Sequence, residues 1–328
     1  MQAVWFESFG AAADTLVFGE LPCPEPAPGE VLVQLYTSGV NPSDVKKRAG
    51  AFPKLLDNGL VIPHSDGAGV IAAVGKGVDP ARIGERVFVY QAQYGRRFGT
   101  AAEYVALEAV RAPRLPDEAS FEVGACIGIP MMTAHRCVFA DGAVDGQTVL
   151  VTGGAGRVGY YAIQWAKLAG ARVIATASND NDAAVCRAVG ADEVVNHRKS
   201  GWGLAAVACN EGKKIDRVVE VDFGVNLSEV LQCLRIGGTI ATYSSSVAEP
   251  KLPFRDMMFM DITVRMVIVY AMPEEAKTQA VEDTRGALQG RRLQHRIAHS
   301  VPLGDMVRAH ELIEQGGFGG CIVVNVNA

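Results

Sequence analysis

None of the seven cysteines in this 328-residue chain stands in a C-x-x-C pair. A structural zinc lobe needs closely spaced thiolates. The scattered Cys23, Cys126, Cys137, Cys186, Cys209, Cys233 and Cys321 therefore read as small buried apolar side chains. Their odd number fits a reducing compartment better than a disulfide framework. No uninterrupted apolar run approaches the roughly 18 residues of a membrane span. The opening Met1-Gln2-Ala3-Val4-Trp5-Phe6-Glu7 lacks both a basic segment and a long apolar core, so a cytoplasmic protein without a secretory leader is expected. A basic excess is missing too. With 31 Lys and Arg against 36 Asp and Glu, the net charge is -5, and no nucleic-acid partner is expected. Arg291-Arg292 and Lys213-Lys214 read as solvated pairs. Internal repeats and low-complexity segments are absent, and 49% hydrophobic with 20% charged residues is the composition of a well-packed chain with room for two domains.

What the chain does have is a strand running into a glycine loop and then a helix, Val149-Leu150-Val151-Thr152-Gly153-Gly154-Ala155-Gly156-Arg157-Val158-Gly159. In this G-x-G-x-x-G pattern Gly154 allows a tight turn, Gly156 lets the backbone approach a diphosphate, and Gly159 lets the helix pack on the strand. Ala155, Arg157 and Val158 complete the loop, whose amides and helix dipole favour an anion. The surroundings fit a doubly wound sheet. A helical stretch from Tyr160 to Gly170 precedes a strand at Arg172 to Ala177. Short strands follow at Val194-Val195 and Arg217 to Val221, then a helix at Leu227 to Leu234 that Gly237-Gly238 stops, then a strand at Thr239 to Tyr243. Strands separated by helical lengths imply right-handed crossovers and a parallel sheet covered on both faces.

The first part of the chain is β-rich. Val31, Val33 and Leu35 alternate, and Gly69 to Val74 and Arg86 to Tyr90 are further strands punctuated by Pro and Gly. Phe121 to Ala140 has helical spacing interrupted near Pro130. Pro273 to Leu288 and Leu303 to Glu314 read as amphipathic helices, and Cys321 to Val326 as a terminal strand.

Several blocks in fixed order carry a resemblance: Ser38-Gly39-Val40-Asn41-Pro42-Ser43-Asp44, Ser65-Asp66-Gly67-Ala68-Gly69-Val70-Ile71, Gly84-Glu85-Arg86-Val87-Phe88, Gly99-Thr100-Ala101-Ala102-Glu103-Tyr104, Gly128-Ile129-Pro130 with Thr133-Ala134, the glycine loop, Val195-Asn196-His197-Arg198, and Gly237-Gly238. Over almost its whole length the chain resembles the medium-chain dehydrogenase/reductase superfamily, and within it the zinc-free quinone oxidoreductases related to zeta-crystallin. The resemblance implies an α/β fold. A Rossmann doubly wound parallel-sheet domain (121–267) is inserted in a GroES-like β-rich catalytic domain (1–120 and 268–328), with the active cleft between them.

Zinc-dependent relatives place a Cys where this chain has Asn41 and a His-Glu pair where it has Ser65-Asp66. An amide and a hydroxyl are poor replacements for thiolate and imidazole, so no metal is expected. His64, one residue off that pattern, reads as a loop histidine. NADPH is the expected cofactor. The acid that would bond the adenine ribose is replaced by Ser178, and His197 and Arg198 suit a 2′-phosphate; Asp180 and Asp182 argue the other way. By the resemblance Asn41 lies beside the nicotinamide, Thr133 contacts its ribose region, Tyr243, Ser244, Ser245 and Val269 line the cofactor, and Asp44 sits on the substrate side. From the residues alone, the competing readings are a turn residue before Pro42 for Asn41 and a helix cap for Asp44. The family's tyrosines are replaced by Lys46 and Phe52, leaving Lys46 or water to donate to the developing oxyanion, with plain helix surface as the competing reading for Lys46.

The expected activity is reduction of a quinone, with reduction of an enone or alkenal double bond as the alternative. A non-enzymatic alternative is an NADPH-binding structural or RNA-binding protein like zeta-crystallin. Ile262 to Tyr270, rich in β-branched residues, is expected to be an edge strand pairing two subunits in a homodimer.

Overall fold

The computed structural model describes residues 1–326, and the chain packs into two units. One comprises Met1–Ile129 together with the chain from Val281 onward; the other is Pro130–Ala280.

The first unit begins with β1 (Gln2–Trp5), α1 (Ala12–Thr15) and β2 (Val17–Glu20), β1 and β2 pairing antiparallel. β3 (Glu30–Val40) is its long central strand. Val31, Val33 and Leu35 are fully buried along it, as a period of two requires when one face meets a core. Then come α2 (Pro42–Arg48), β4 (Asp66–Val74), β5 (Arg86–Val89), β6 (Tyr104–Glu108) and α3 (Phe121–Gly124).

The second unit takes up α4 (Ile129–Phe139) and alternates β7 (Thr148–Val151), α5 (Arg157–Leu168), β8 (Arg172–Ala177), α6 (Asp180–Ala188), β9 (Glu193–Asn196), α7 (Trp202–Cys209), β10 (Ile215–Glu220), α8 (Phe223–Cys233), β11 (Leu234–Thr242), α9 (Phe254–Phe259) and β12 (Thr263–Met266). The six strands are all parallel in the order β12-β11-β10-β7-β8-β9, a Rossmann-type sheet. Strand order reverses between β7 and β10, and the crevice beyond the carboxyl ends there is where such sheets bind ligands.

The chain then returns through α10 (Glu274–Gln289), β13 (Ile297–Pro302), α11 (Met306–Gln315) and β14 (Cys321–Asn325). β14 runs antiparallel to β3, with Ile322 opposite Val40, and closes the first unit's sheet in the order β13-β14-β3-β4-β5, with β6 also on β3. No described helix is long and apolar enough to cross a membrane.

The observed junctions lie beyond the expected 120/121 and 267/268. α3 packs on β3 and β4 of the first unit, and α10 is continuous across the second junction. The interruption expected near Pro130 is present: α3 ends at Gly124, the chain turns over 125–128, and Pro130 is the second residue of α4, where a missing N–H costs nothing. Gly237-Gly238 do not stop α8. They lie inside β11, at an irregularity where its pairing with β10 jumps from Leu234 to Thr239. The expected edge strand from Ile262 to Tyr270 is shorter, with β12 ending at Met266 and a 3₁₀ turn at Val269–Ala271. Cys23 is exposed and Cys209 half-buried, unlike the other five cysteines.

Candidate active site

In the second unit, Gly153 adopts φ +61°, and its amide donates to Thr176 Oγ1 on β8 (3.0 Å) while Gly154 N donates to Thr176 O (2.9 Å). The loop is thus laced to the neighbouring strand. A Cβ on Gly154 would meet Ala175, Cys186 and Ile163, each at 2.9 Å, and one on Gly159 would meet Gly153 O at 2.4 Å. On Gly156 the only contact is Gly153 O at 3.1 Å. Gly156 is the N-cap of α5 and brings no side chain to bond the first turn. Thr152 Oγ1 donates to Val219 O and accepts from Val221 N (2.9 Å), fixing the loop to β10 across the crevice.

At the end of β8, Ser178 and Asn179 are held by Asp182. Asn179 caps α6 by accepting from Asp182 N, and its amide donates to Asp182 Oδ2 at 2.8 Å; Ser178 Oγ is 3.4 Å from the same oxygen. His197 N donates to Ala177 O and its Nδ1 lies 3.2 Å from Thr176 Oγ1, which brings the 197–198 turn beside this strand end. Burial, then Arg198, holds the His197 ring below the usual imidazole range. Arg198 is exposed.

Beyond β11, Tyr243, Ser244 and Ser245 line a 310 Å³ cavity with Thr242, Val267 and Ile268. Two residues missing from the sequence reading brace the chain next to it. Asp222 clamps Ser246 through both carboxylate oxygens (2.8 and 2.7 Å), and the buried Glu220 accepts from Asp222 N (2.5 Å) and Asn226 Nδ2 (2.8 Å). Val269 is not among the lining residues; it is buried in its 3₁₀ turn. Thr133 is buried on α4.

In the first unit, Asn41 and Asp44 open α2 as a capping box. Asn41 N donates to Asp44 Oδ2 (2.9 Å), and the Asn41 side chain accepts from the N3 backbone. The geometry thus shows Asp44 as a helix cap, with Asn41 as its N-cap partner. Asn41 Nδ2 also donates to Asp66 Oδ2 (2.8 Å), which accepts as well from Ile129 N (2.8 Å). Asn41, Asp44, Lys47 and Asp66 are all buried. Lys46 instead faces solvent, and its neighbour Lys47 turns inward, donating to Gln93 O (3.0 Å). Burial raises Asp44 to about 6, against the opposing pull of Lys47, and raises Asp66 to about 8. The same burial lowers Lys47.

His64 lies in the loop before β4, but it is buried and bonded. Fully buried at φ +75°, it bonds Ser38 Oγ through Nδ1 (2.8 Å) and His310 Nε2 through Nε2 (3.0 Å); His310 Nδ1 meets Arg48 Nε at 3.4 Å, and Arg48 pairs with Glu314. Arg48 can only donate, so His310 must accept at Nδ1 and donate from Nε2, and His64 must accept at Nε2 and donate from Nδ1. The hydroxyls continue the chain from Ser38 to Thr100 (2.8 Å) and from Thr100 to Asp66 O (2.6 Å). Every bond points the same way, and both imidazoles are spoken for at both nitrogens. Burial keeps His64 well below the usual range and lowers His310 to about 3. Among the described residues no group of three or more His, Cys, Asp or Glu is placed to hold a metal ion.

With this geometry, comparison with known proteins is decisive. The human quinone oxidoreductase is 31% identical over 320 residues, 96% of this chain and 94% of that protein, and the guanaco (Lama guanicoe) quinone oxidoreductase is 31% identical over 99% of this chain and 97% of its own. The chain belongs to the quinone oxidoreductase family of the medium-chain dehydrogenase/reductases. It is accordingly an oxidoreductase. Family profiles agree: one described as alcohol dehydrogenase GroES-like domain matches residues 27–117, and one described as zinc-binding dehydrogenase matches 158–284. Solved structures similar to the whole chain include an NAD-dependent alcohol dehydrogenase (29% identity, TM-score 0.88, all of both chains) and a mycobacterial protein complexed with NADPH (26%, TM-score 0.88, 99% of this chain and 100% of that one).

Proposed function

We propose that this oxidoreductase reduces a quinone with NADPH and without a metal. The observation that carries the metal-free reading is the engagement of Asn41 Nδ2 with Asp66 Oδ2: at the positions where zinc enzymes keep ligands, an amide proton already occupies the carboxylate, and the adjoining His64 has both nitrogens bonded. The printed names of the curated relatives support the quinone, and the neighbour solved with NADPH supports the cofactor.

The residues fit a dinucleotide. The glycine loop from Gly154 through Ala155, Gly156, Arg157 and Val158 to Gly159 offers a close backbone and an uncapped helix start for the diphosphate. Arg198 and His197, beside the end of β8, supply donors for a 2′-phosphate next to Ser178, and Asp182 is the opposing charge. Thr133, Tyr243, Ser244 and Ser245 are assigned to the nicotinamide end. When bound, the reduced nicotinamide supplies a hydride. Asn41 and Asp44 are assigned to the acceptor side, Asn41 as the amide that orients the reacting groups. Lys46, free to swing on the exposed face of α2, is the donor to the oxygen that gains charge.

A second copy is proposed to add to the edge strand β12, where Met266 and the following Ile268 are exposed.

The test is oxidation of NADPH and of NADH by purified protein against quinones, enones and alkenals, with metal analysis of the same preparation. Quinone-dependent oxidation favouring NADPH is expected. Turnover of enones alone would replace the quinone assignment, and coenzyme binding with no turnover of any acceptor would favour a structural role.

A further inference from the structure

Asp66 opens β4, and its carboxyl group does two jobs with one oxygen. Oδ2 accepts from the Asn41 side chain and from Ile129 N, the first amide of α4. Oδ1 has no hydrogen-bond partner among the described residues. On that side stands the bare Cα of Gly128, where an added Cβ would lie 2.1 Å from Oδ1. An ionised carboxylate with one oxygen pressed against a glycine Cα and cut off from solvent is poorly solvated.

The charges around it do not make up the difference. From α2, Asp44 and Lys47 face the group; Lys47 is one cation for two buried carboxyls, so ionising both leaves one negative charge unbalanced. From the preceding segment and α11, His64 and His310 are both held neutral by burial, and the Arg48 cation is paired with Glu314. A proton on one of the two acids removes that imbalance. Asp44 has the Asn41 main-chain amide and the stronger influence of Lys47; Asp66 is the more deeply displaced of the two.

We propose that Asp66 is a positioning residue that serves the reaction only as the neutral acid, holding the Asn41 amide and the head of α4 together while placing no charge behind Asn41. This rests on the assignment of Asn41 to the acceptor side. As hydride arrives, an oxygen of the acceptor gains negative charge, and a carboxylate behind Asn41 repels that charge whereas the acid does not. Turnover then falls as Asp66 ionises, by about tenfold per pH unit once the limb is fully developed.

Asp66→Asn tests the idea because its carbonyl can accept both N–H groups while the site loses its titration. In the wild type, kcat with NADPH and a quinone declines above about pH 8; in Asp66→Asn, whatever its absolute rate, that alkaline limb is absent. A second readout needs neither cofactor nor activity. The unfolded chain ionises this carboxyl above about pH 4 while the fold keeps it protonated to about 8. Its contribution to stability is thus complete below the lower value and lost as pH rises through the upper one. Thermal unfolding of the apo protein should accordingly show Asp66→Asn gaining on the wild type between pH 5 and pH 8. Infrared spectra of wild-type apo protein should show a protonated-carboxyl band at pH 7 that bleaches towards pH 9, a measurement independent of whether the variant folds. Parallel pH profiles for the two proteins, or no such band, would overturn the proposal. A wild type that binds NADPH but reduces no quinone at any pH would instead sink the functional reading, leaving the infrared and unfolding results to decide the state of Asp66.

Discussion

Gly156 and Gly159 lie three residues apart in the same loop, yet the structure gives them different tasks, and alanine at each should separate those tasks. At Gly159 the new Cβ would sit 2.4 Å from Gly153 O and 2.9 Å from Gly154 Cα, both main-chain atoms with no rotamer to escape into. Restoring an ordinary contact of about 3.5 Å requires the helix start and the loop to part by roughly 1 Å. Overpacking of that kind costs about 1–3 kcal/mol of stability, and a displacement of about 1 Å in a positioned site costs about 100-fold in function. At Gly156 the backbone is at φ -75°, ordinary for alanine, and the Cβ meets only Gly153 O at 3.1 Å. Apo stability should therefore change by less than about 1 kcal/mol, while the methyl group projects where the diphosphate is proposed to lie. Urea unfolding of the apo proteins and calorimetric titration with NADPH measure the two effects separately. Gly159→Ala should lose both stability and affinity, and Gly156→Ala affinity alone, by tenfold or more. If Gly156→Ala bound NADPH as tightly as the wild type, the assignment of this loop to the diphosphate would be wrong.

Removing Arg198 by Arg198→Ala should weaken NADPH by roughly 10–100-fold, the value of a charge-assisted bond of about 1.5–3 kcal/mol, and leave NADH unchanged; equal losses for both coenzymes would remove Arg198 from the 2′-phosphate site. His310→Leu strips the acceptor from buried Arg48 Nε and the donor from His64 Nε2, and urea unfolding should show a loss of about 2–5 kcal/mol. The same histidine shapes the acid response. Its folded-state pKa is depressed to about 3, so its contribution is present above the ordinary imidazole range and is lost as pH falls towards that value. Calorimetric scans from pH 7 to pH 4 should show a shallower fall in Tm for His310→Gln than for the wild type. Replacing exposed Met266 on β12 by lysine should shift the protein to a smaller species in sedimentation if that edge joins two copies, and leave its sedimentation unaltered if it does not.

The parts of this molecule that were legible in its sequence are those whose cause is local. Arg172–Ala177 is a strand at the residues expected, because a short β-rich run follows the turn at Gly170 and ends at a polar residue. The glycine loop announces itself because steric relief must be encoded at the position that needs it. Where two local causes compete, the reading slipped. Gly237-Gly238 resemble a helix stop but sit in an irregular strand, where the pairing with β10 skips from Leu234 to Thr239 and Gly237 takes a left-handed φ of +69°. Lys46 and Lys47 show how narrow the margin is. Asn41 and Asp44 are N-cap and N3 of α2, so the same face recurs three residues on at Lys47, and that spacing was available to find the inward lysine. For the rest, the cause is distant. Asp66 is completed by Ile129, 63 residues later, and His64 by His310, 246 residues later. Neither partner can be named from a window of sequence. The demand for one can: His64-Ser65-Asp66 is a polar triplet set between Val61-Ile62-Pro63 and Ala68-Gly69-Val70, in a stretch whose flanks read as core. Polar groups carried into a core must find partners there, so such a triplet forecasts a buried network even while its members remain unknown. In this protein that network ends on the main-chain carbonyl of Asp66, the residue whose carboxyl group holds Asn41.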